Sequence, residues 1–292
     1  MTVIDPAALA AYPPLGRLIE VGGLAVHATD TGSGAPPVVL LHGSNVNLRD
    51  WTFSLTDRLA RTNRVIAMDR PGFGYSERGS GGWTPARQAA QLRAALAMLG
   101  VERPIVVGHS WGAVVAFAWA LDAPREVSGI VSVSGATMPW GPMVDVLDGL
   151  GVTRAGASYY TALLYRRLDQ AAVEAFVRRA FWPQKPAPGY VRYVGAPLSM
   201  RASAIKANSE DLGQTHAALS AHAKRYAGLD LPVEILHGEK DWLLTVSRHA
   251  TGLARRLPNA RVNVAHGVGH MTHHARPDLL EAAVARISAA VR

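Results

Sequence analysis

The chain contains no cysteine. That absence excludes disulfide bridges, thiolate metal sites and a cysteine nucleophile, and it fits a reducing compartment, so a cytoplasmic location is expected. Charge is scarce too. Charged residues fill 18% of the 292 positions against 49% hydrophobic, a balance that argues for a folded globule and against disorder. The formal net charge is +8, yet the 30 Lys and Arg residues are scattered, with no basic block and no interleaved run of aromatics. A nucleic-acid site needs basic residues clustered on one face, so no nucleic-acid partner is expected. The opening stretch MTVIDPAALAAYPPLG lacks the basic start and apolar stretch of a signal peptide, and no segment reads as a membrane span. The length suits one large α/β domain with a sizeable core, alone or with an insertion.

What is present is an alternation of strand and helix signals. Arg17 to Thr29, broken by Gly22-Gly23, reads as a β-hairpin. Apolar strand runs follow at Pro37–Leu41, Arg64–Asp69, Ile105–Val107, Val127–Val133, Leu231–His237 and Arg261–Ala265. Helical patterns lie between them: near Trp51–Ala60, from Pro85 to Leu99 with Thr84 as cap, from Ala113 onward, and at Val246–Leu257 and Asp278–Val291. Such alternation implies a mainly parallel sheet covered on both faces. The interval 136–216 breaks the rhythm. It carries helical patterns, Tyr159–Leu168 and Ala171–Phe181 among them, and turn residues such as WPQKPAPGY, but no clear β-branched strand. A segment that long between two core strands is rarely structureless, so it is expected to be a helical insertion on the sheet. The expected organisation is core (1–135), helical cap (136–216) and core (217–292).

The chemistry begins at Gly108-His109-Ser110-Trp111-Gly112, between the strand run at Ile105–Val107 and the helix that follows. A strand ending in G-x-S-x-G and passing straight into a helix is a nucleophile elbow. The serine stands exposed at the strand's carboxyl end in a sparsely allowed conformation, and the glycines sit where a Cβ would crowd the turn. The following helix directs its N–H groups and dipole at the serine, which favours a developing anion there.

With that elbow go four further blocks: Leu41-His42-Gly43-Ser44, the run Asp69 to Ser76 (DRPGFGYS), Leu236 to Asp241 (LHGEKD), and Gly267-Val268-Gly269-His270-Met271. Together and in this order they resemble the α/β-hydrolase family over nearly the whole chain, as a serine-nucleophile, lidded, esterase-like member. The resemblance implies an α/β-hydrolase fold, a mostly parallel sheet of about eight strands with helices on both faces and a helical cap. The family's order of serine, acid and histidine is met by Ser110, Asp241 and His270. Asp69 and Asp211 are competing acids, Asp69 within the block that usually buttresses the site and Asp211 within the insertion. The oxyanion donors implied are the backbone N–H groups of Trp111 and Ser44, each typically worth about 3 kcal/mol in the transition state. Asn45, Trp140 and Trp182 are expected to contact substrate, as are some of the other aromatics of the insertion: Tyr159, Tyr160, Tyr165, Phe176, Phe181, Tyr190 and Tyr193.

Four histidines crowd the late loop: His266, His270, His273 and His274. Glycines 267 and 269 break any helix between the first two, and no carboxylate or thiolate lies near in sequence, so no metal is expected. His273 and His274 are expected on the loop's outer side, and His109 as a packed side chain. No cofactor is called for.

A serine nucleophile weighs against dehalogenase and epoxide-hydrolase chemistry, which this family runs on aspartate, and the HGSN loop weighs against large-triglyceride lipase activity. The expected function is hydrolysis of a small to medium carboxylic ester with an apolar or aromatic group. Carbon–carbon bond hydrolysis and cofactor-free perhydrolysis are alternatives, as is a ligand-binding or biosynthetic accessory role that keeps the triad. The expected partner is a small-molecule substrate, and a homodimer is left open.

Overall fold

Strands β1 (Arg17–Val21), β2 (Leu24–Thr31), β3 (Val38–Leu41), β4 (Val65–Met68), β5 (Ile105–His109), β6 (Gly129–Val133), β7 (Val233–Gly238) and β8 (Ala260–Ala265) form one sheet. The computed structural model describes residues 10–81, 83–150, 155–156 and 170–291. The strand order is β1-β2-β4-β3-β5-β6-β7-β8. β1 and β2 pair antiparallel, as do β2 and β4, and every other pair is parallel.

Strands β3 to β7 are buried along their whole length, as their Val, Ile and Leu runs require of a sheet covered on both faces. Successive side chains alternate between two cores. Val39, Leu41 and Val106 pack on one face with Trp111, Val114 and Phe117, while Val38, Leu40, Ile105 and Val107 pack on the other with Trp51, Leu280 and Ile287.

The helix Pro85–Met98 starts as its sequence dictates, with the Thr84 side chain accepting from the Arg87 N–H. The pattern near Trp51–Ala60 is not one helix but two short ones, Arg49–Thr52 and Leu55–Leu59, separated at Ser54. Asp50 and Trp51 are both buried, so tertiary contacts rather than periodicity set that first turn. Between β6 and β7 the described residues form the helices Pro142–Gly149, Gln170–Ala180, Tyr190–Val194, Ala196–Ser199 and Ala202–Ala223, with no strand among them. The last, 22 residues long, runs through position 216 and packs on the helix Trp111–Asp122. The pattern at Tyr159–Leu168 lies outside the described residues. Among those described, no helix is long and apolar enough to cross a membrane.

Candidate active site

From Pro104 to Ala120 every residue is buried except Ser110, which is partly exposed. It joins β5 to the helix Trp111–Asp122 with φ 52° and ψ −117°. An L-residue adopts that conformation only when its surroundings impose it. Here the Ser110 N–H donates to Val133 O (3.0 Å), and its carbonyl accepts from Ala113 N (3.2 Å) and Ala136 N (3.1 Å). The two glycines are required by close approach. A Cβ on Gly108 would stand 2.6 Å from the backbone of Ala113, and one on Gly112 would run into the carbonyl oxygens of Leu41 and His42.

His270, in the loop after β8, and Asp241, after β7, are both buried, with Nδ1 2.7 Å from Oδ2. The other Asp241 oxygen accepts from the N–H groups of Leu243 (2.9 Å) and Leu244 (3.0 Å). Burial works against the Asp241 carboxylate, but His270 and His237 outweigh it and hold its pKa well below the ordinary value. With Nδ1–H donated to Asp241, the basic lone pair of His270 sits on Nε2. His270 and Ser110 line the same cavity. The competing acids are engaged elsewhere. Asp69 accepts from His27 Nδ1 (2.6 Å), Leu48 N (2.7 Å) and Tyr75 N (2.9 Å). Asp211 accepts from Arg70 (2.6 Å), Arg78 (2.8 Å) and Gln88 (2.8 Å).

Trp111 opens its helix, so its N–H has no carbonyl within the helix to bond. The loop after β3 passes close by: a Cβ on Gly43 would lie 3.1 Å from Ser110 Cβ. Arg70 takes the loop's carbonyls, donating to His42 O (2.9 Å) and Gly43 O (3.1 Å). Ser44 and Asn45 line the cavity, and Asn45 is held at φ 57°.

The cavity measures about 590 Å³. Ser110 and His270 border it together with Trp140, Val144, Val173, Phe176, Val177, Tyr190, Ile205 and Leu212, all from the helical interval. Trp182, expected at the substrate, is not part of this lining and is 55% exposed. The reason is helical phase: Val173, Phe176, Val177 and Ala180 share the inward face of Gln170–Ala180, and Trp182 follows beyond its end. Phe181 is buried against Tyr190, Val194 and Met271, while Tyr193 contacts Phe53 and Thr52. Tyr159, Tyr160 and Tyr165 lie outside the described residues.

His273 and His274 are not on the outside of their loop. Both turn inward onto Asp50, a residue that sequence reasoning missed. His274 Nε2 lies 2.8 Å from Oδ1 and His273 Nε2 3.1 Å from Oδ2, and the Tyr190 hydroxyl donates to Oδ1 at 2.6 Å. A buried carboxylate needs such donors. Burial works to raise the Asp50 carboxyl, and the imidazoles of His273 and His274 more than offset it, holding it well below its usual value. Burial lowers His273 to about 4, so that ring is neutral at pH 7. His109 is packed as expected, its ring 4.3 Å from that of His273 and 5.0 Å from that of His270. Asp50, His273 and His274 are also a donor set that a metal ion could use. A metal-bound imidazole normally donates its second N–H to a fixed acceptor, whereas His273 Nδ1 has no partner among the described residues. The cluster fits a hydrogen-bonded anion better than a metal centre.

The sheet order, the strained serine between strand and helix and the histidine–aspartate pair beyond β7 and β8 together have the form of an α/β hydrolase. A family model described as alpha/beta hydrolase fold matches residues 36–277, and the chain belongs to that family. A 2-hydroxymuconate semialdehyde hydrolase from Pseudomonas putida is 28% identical over 264 residues, covering 89% of each chain. The dihydrolipoyllysine-residue acetyltransferase component of an acetoin cleaving system from Cupriavidus necator is 38% identical over 127 residues, which are 44% of this chain and 33% of that protein. Among solved structures, an esterase from Exiguobacterium antarcticum superposes with a TM-score of 0.74 at 20% identity, covering 94% of this chain and 99% of its own.

Proposed function

We propose that the protein is a serine hydrolase that cleaves small to medium carboxylic esters bearing an apolar or aromatic group, through an acyl-enzyme. The observation that carries this reading is the placement of Ser110. It is the single residue from Pro104 to Ala120 that is not buried, and it borders a largely apolar cavity together with His270, which is itself bonded to Asp241.

A serine hydroxyl is a weak nucleophile at neutral pH and needs a base. His270 Nε2 takes the Ser110 proton as Oγ attacks the ester carbonyl, and Asp241 stabilises the imidazolium that forms. The N–H groups of Trp111 and Ser44 bind the developing oxyanion. His270 then protonates the leaving alcohol, and a water activated by the same histidine releases the acid. Residues 136–216 act as a cap whose Trp140, Phe176 and Tyr190 exclude water and so strengthen these interactions. The test is a panel of p-nitrophenyl esters of increasing acyl length: turnover that disappears in Ser110→Ala supports the reading, and turnover retained there contradicts it.

Carbon–carbon bond hydrolysis is the second reading, favoured by the likeness to a 2-hydroxymuconate semialdehyde hydrolase over most of both chains. On this reading the same Ser110 and His270 act on a semialdehyde of the kind in that relative's name. Comparing kcat/KM on such a substrate with that on the best ester separates the two.

A further inference from the structure

The helix Ala202–Ala223 presents two faces to the interior. Ala204, Ala207 and Asp211 meet Phe73 and Arg70. Ile205, Asn208, Leu212 and Thr215 face the cavity, at intervals of three, four and three that keep them on one side of a helix. Asn208 is only 6% exposed, and its side-chain Oδ1 is buried without a hydrogen-bond partner among the described residues. Two polar side chains beside it are engaged. The Thr215 hydroxyl donates to Asp211 O (2.8 Å) and accepts from Trp111 Nε1 (2.9 Å), and the Ser199 hydroxyl donates to Asn45 O (2.8 Å).

A buried carbonyl oxygen without a partner is destabilising unless something present in the working protein bonds it. We infer that Asn208 is a specificity-determining residue: it binds a neutral hydrogen-bonding group, a hydroxyl or a secondary amide, on the non-reacting part of the substrate. This inference rests on the ester-hydrolase reading and narrows its substrate class. The unpaired atom is an acceptor, so its complement is a group with a proton to donate, an O–H or an N–H. A carboxylate has no proton to donate and would set its charge against Oδ1. A plain alkyl chain would leave Oδ1 unpaired, and sites with buried polar groups discriminate strongly against ligands that leave them so. The substrate is therefore apolar over most of its length, against Phe176, Val177, Ile205 and Leu212, with one polar group placed on the wall formed by Asn208.

The test uses matched pairs of esters, plain and hydroxylated at successive carbons of the acyl or the alcohol half, with the wild type and Asn208→Leu. Each pair is compared on the same preparation, so partial misfolding cancels from the ratio. The expected result is one position at which the hydroxylated ester is favoured in kcat/KM by about 10-fold or more in the wild type, the preference vanishing or reversing in Asn208→Leu. A second arm measures binding of plain and hydroxylated methyl ketones by calorimetry to Ser110→Ala alone and combined with Asn208→Leu, with the same preference expected in the first and its loss in the second. No ester turnover together with a retained, Asn208-dependent binding preference overturns the ester reading and keeps this one. Ratios that agree within twofold between wild type and Asn208→Leu at every position overturn the inference and leave Asn208 to ordered water.

Discussion

Arg70 and Asp211 form an ion pair with both side chains fully buried, Nη1 to Oδ2 at 2.6 Å. It joins the loop beside Ser110 to the long helix over the cavity, because the same guanidinium donates to the carbonyls of His42 and Gly43. The guanidinium carbon lies 4.4 Å from the Phe73 ring centroid and 4.6 Å from that of Trp111, and Arg78 and Gln88 complete the bonding of Asp211. Removing one partner of such a pair strands a buried charge, at a cost of about 3–5 kcal/mol. Asp211→Ala is expected to lower unfolding stability by that amount in urea titration. The remaining folded enzyme should keep its pH–rate profile, since Asp211 does not touch His270.

Asp241→Asn should act in the opposite way. The amide cannot stabilise the imidazolium of His270 and favours the wrong tautomer, so kcat is expected to fall by roughly 10³ to 10⁴. Steady-state kinetics with both variants decides between the acids. A nearly silent Asp241→Asn beside a catalytically severe Asp211→Ala would reverse the assignment.

How much of this was legible from the chain depends on sequence distance. The elbow was readable because strand, serine, glycines and helix are contiguous, and the Asp241 and His270 blocks because each follows a core strand closely. The Asp50 cluster was not. Asp50 lies more than 200 positions from His273 and His274, and a pair of histidines after a glycine-rich loop looks the same facing solvent or a buried carboxylate. Trp182 was misjudged for a related reason. Aromatic content marks the interval 136–216, but only the phase of Gln170–Ala180 decides that Phe176 faces the cavity and Trp182 does not. Asn208 went unnoticed because an asparagine in a helix carries no local signal.

Buried neutral histidines make stability fall with acid. Burial lowers His42, His222 and His273 to about 4 and His249 to about 3, from 6.5 in the unfolded chain. Between those values the unfolded state binds protons that the folded state does not. Stability is therefore full above about pH 6.5 and lost as pH falls toward 4, by up to about 1.4 kcal/mol per pH unit for each group. Asp50 and Asp241, held below 3.8, lose their contributions only at lower pH. Melting temperatures should decline steeply from pH 6.5 to 4. A flat profile there would contradict the buried, neutral placement of these rings.

Trp140 borders the cavity and Trp182 does not. Trp140→Ala should therefore raise KM for short esters and shift the preferred acyl length upward, with a modest change in melting temperature. Trp182→Ala should leave the chain-length profile within about twofold of wild type, as surface changes usually do. Profiles across an ester series check both, and equal shifts in the two variants would mean that the cavity is bounded differently.

The central claim is that Ser110 is the nucleophile, and covalent trapping tests it most directly. An organophosphate such as diethyl p-nitrophenyl phosphate transfers its phosphoryl group to an activated serine and releases p-nitrophenol. Incubation should add one diethylphosphoryl group to the intact mass, located by peptide mapping on Ser110 and lost together with activity in Ser110→Ala. A protein that hydrolyses esters yet takes no label, or takes it on another residue, would contradict the account.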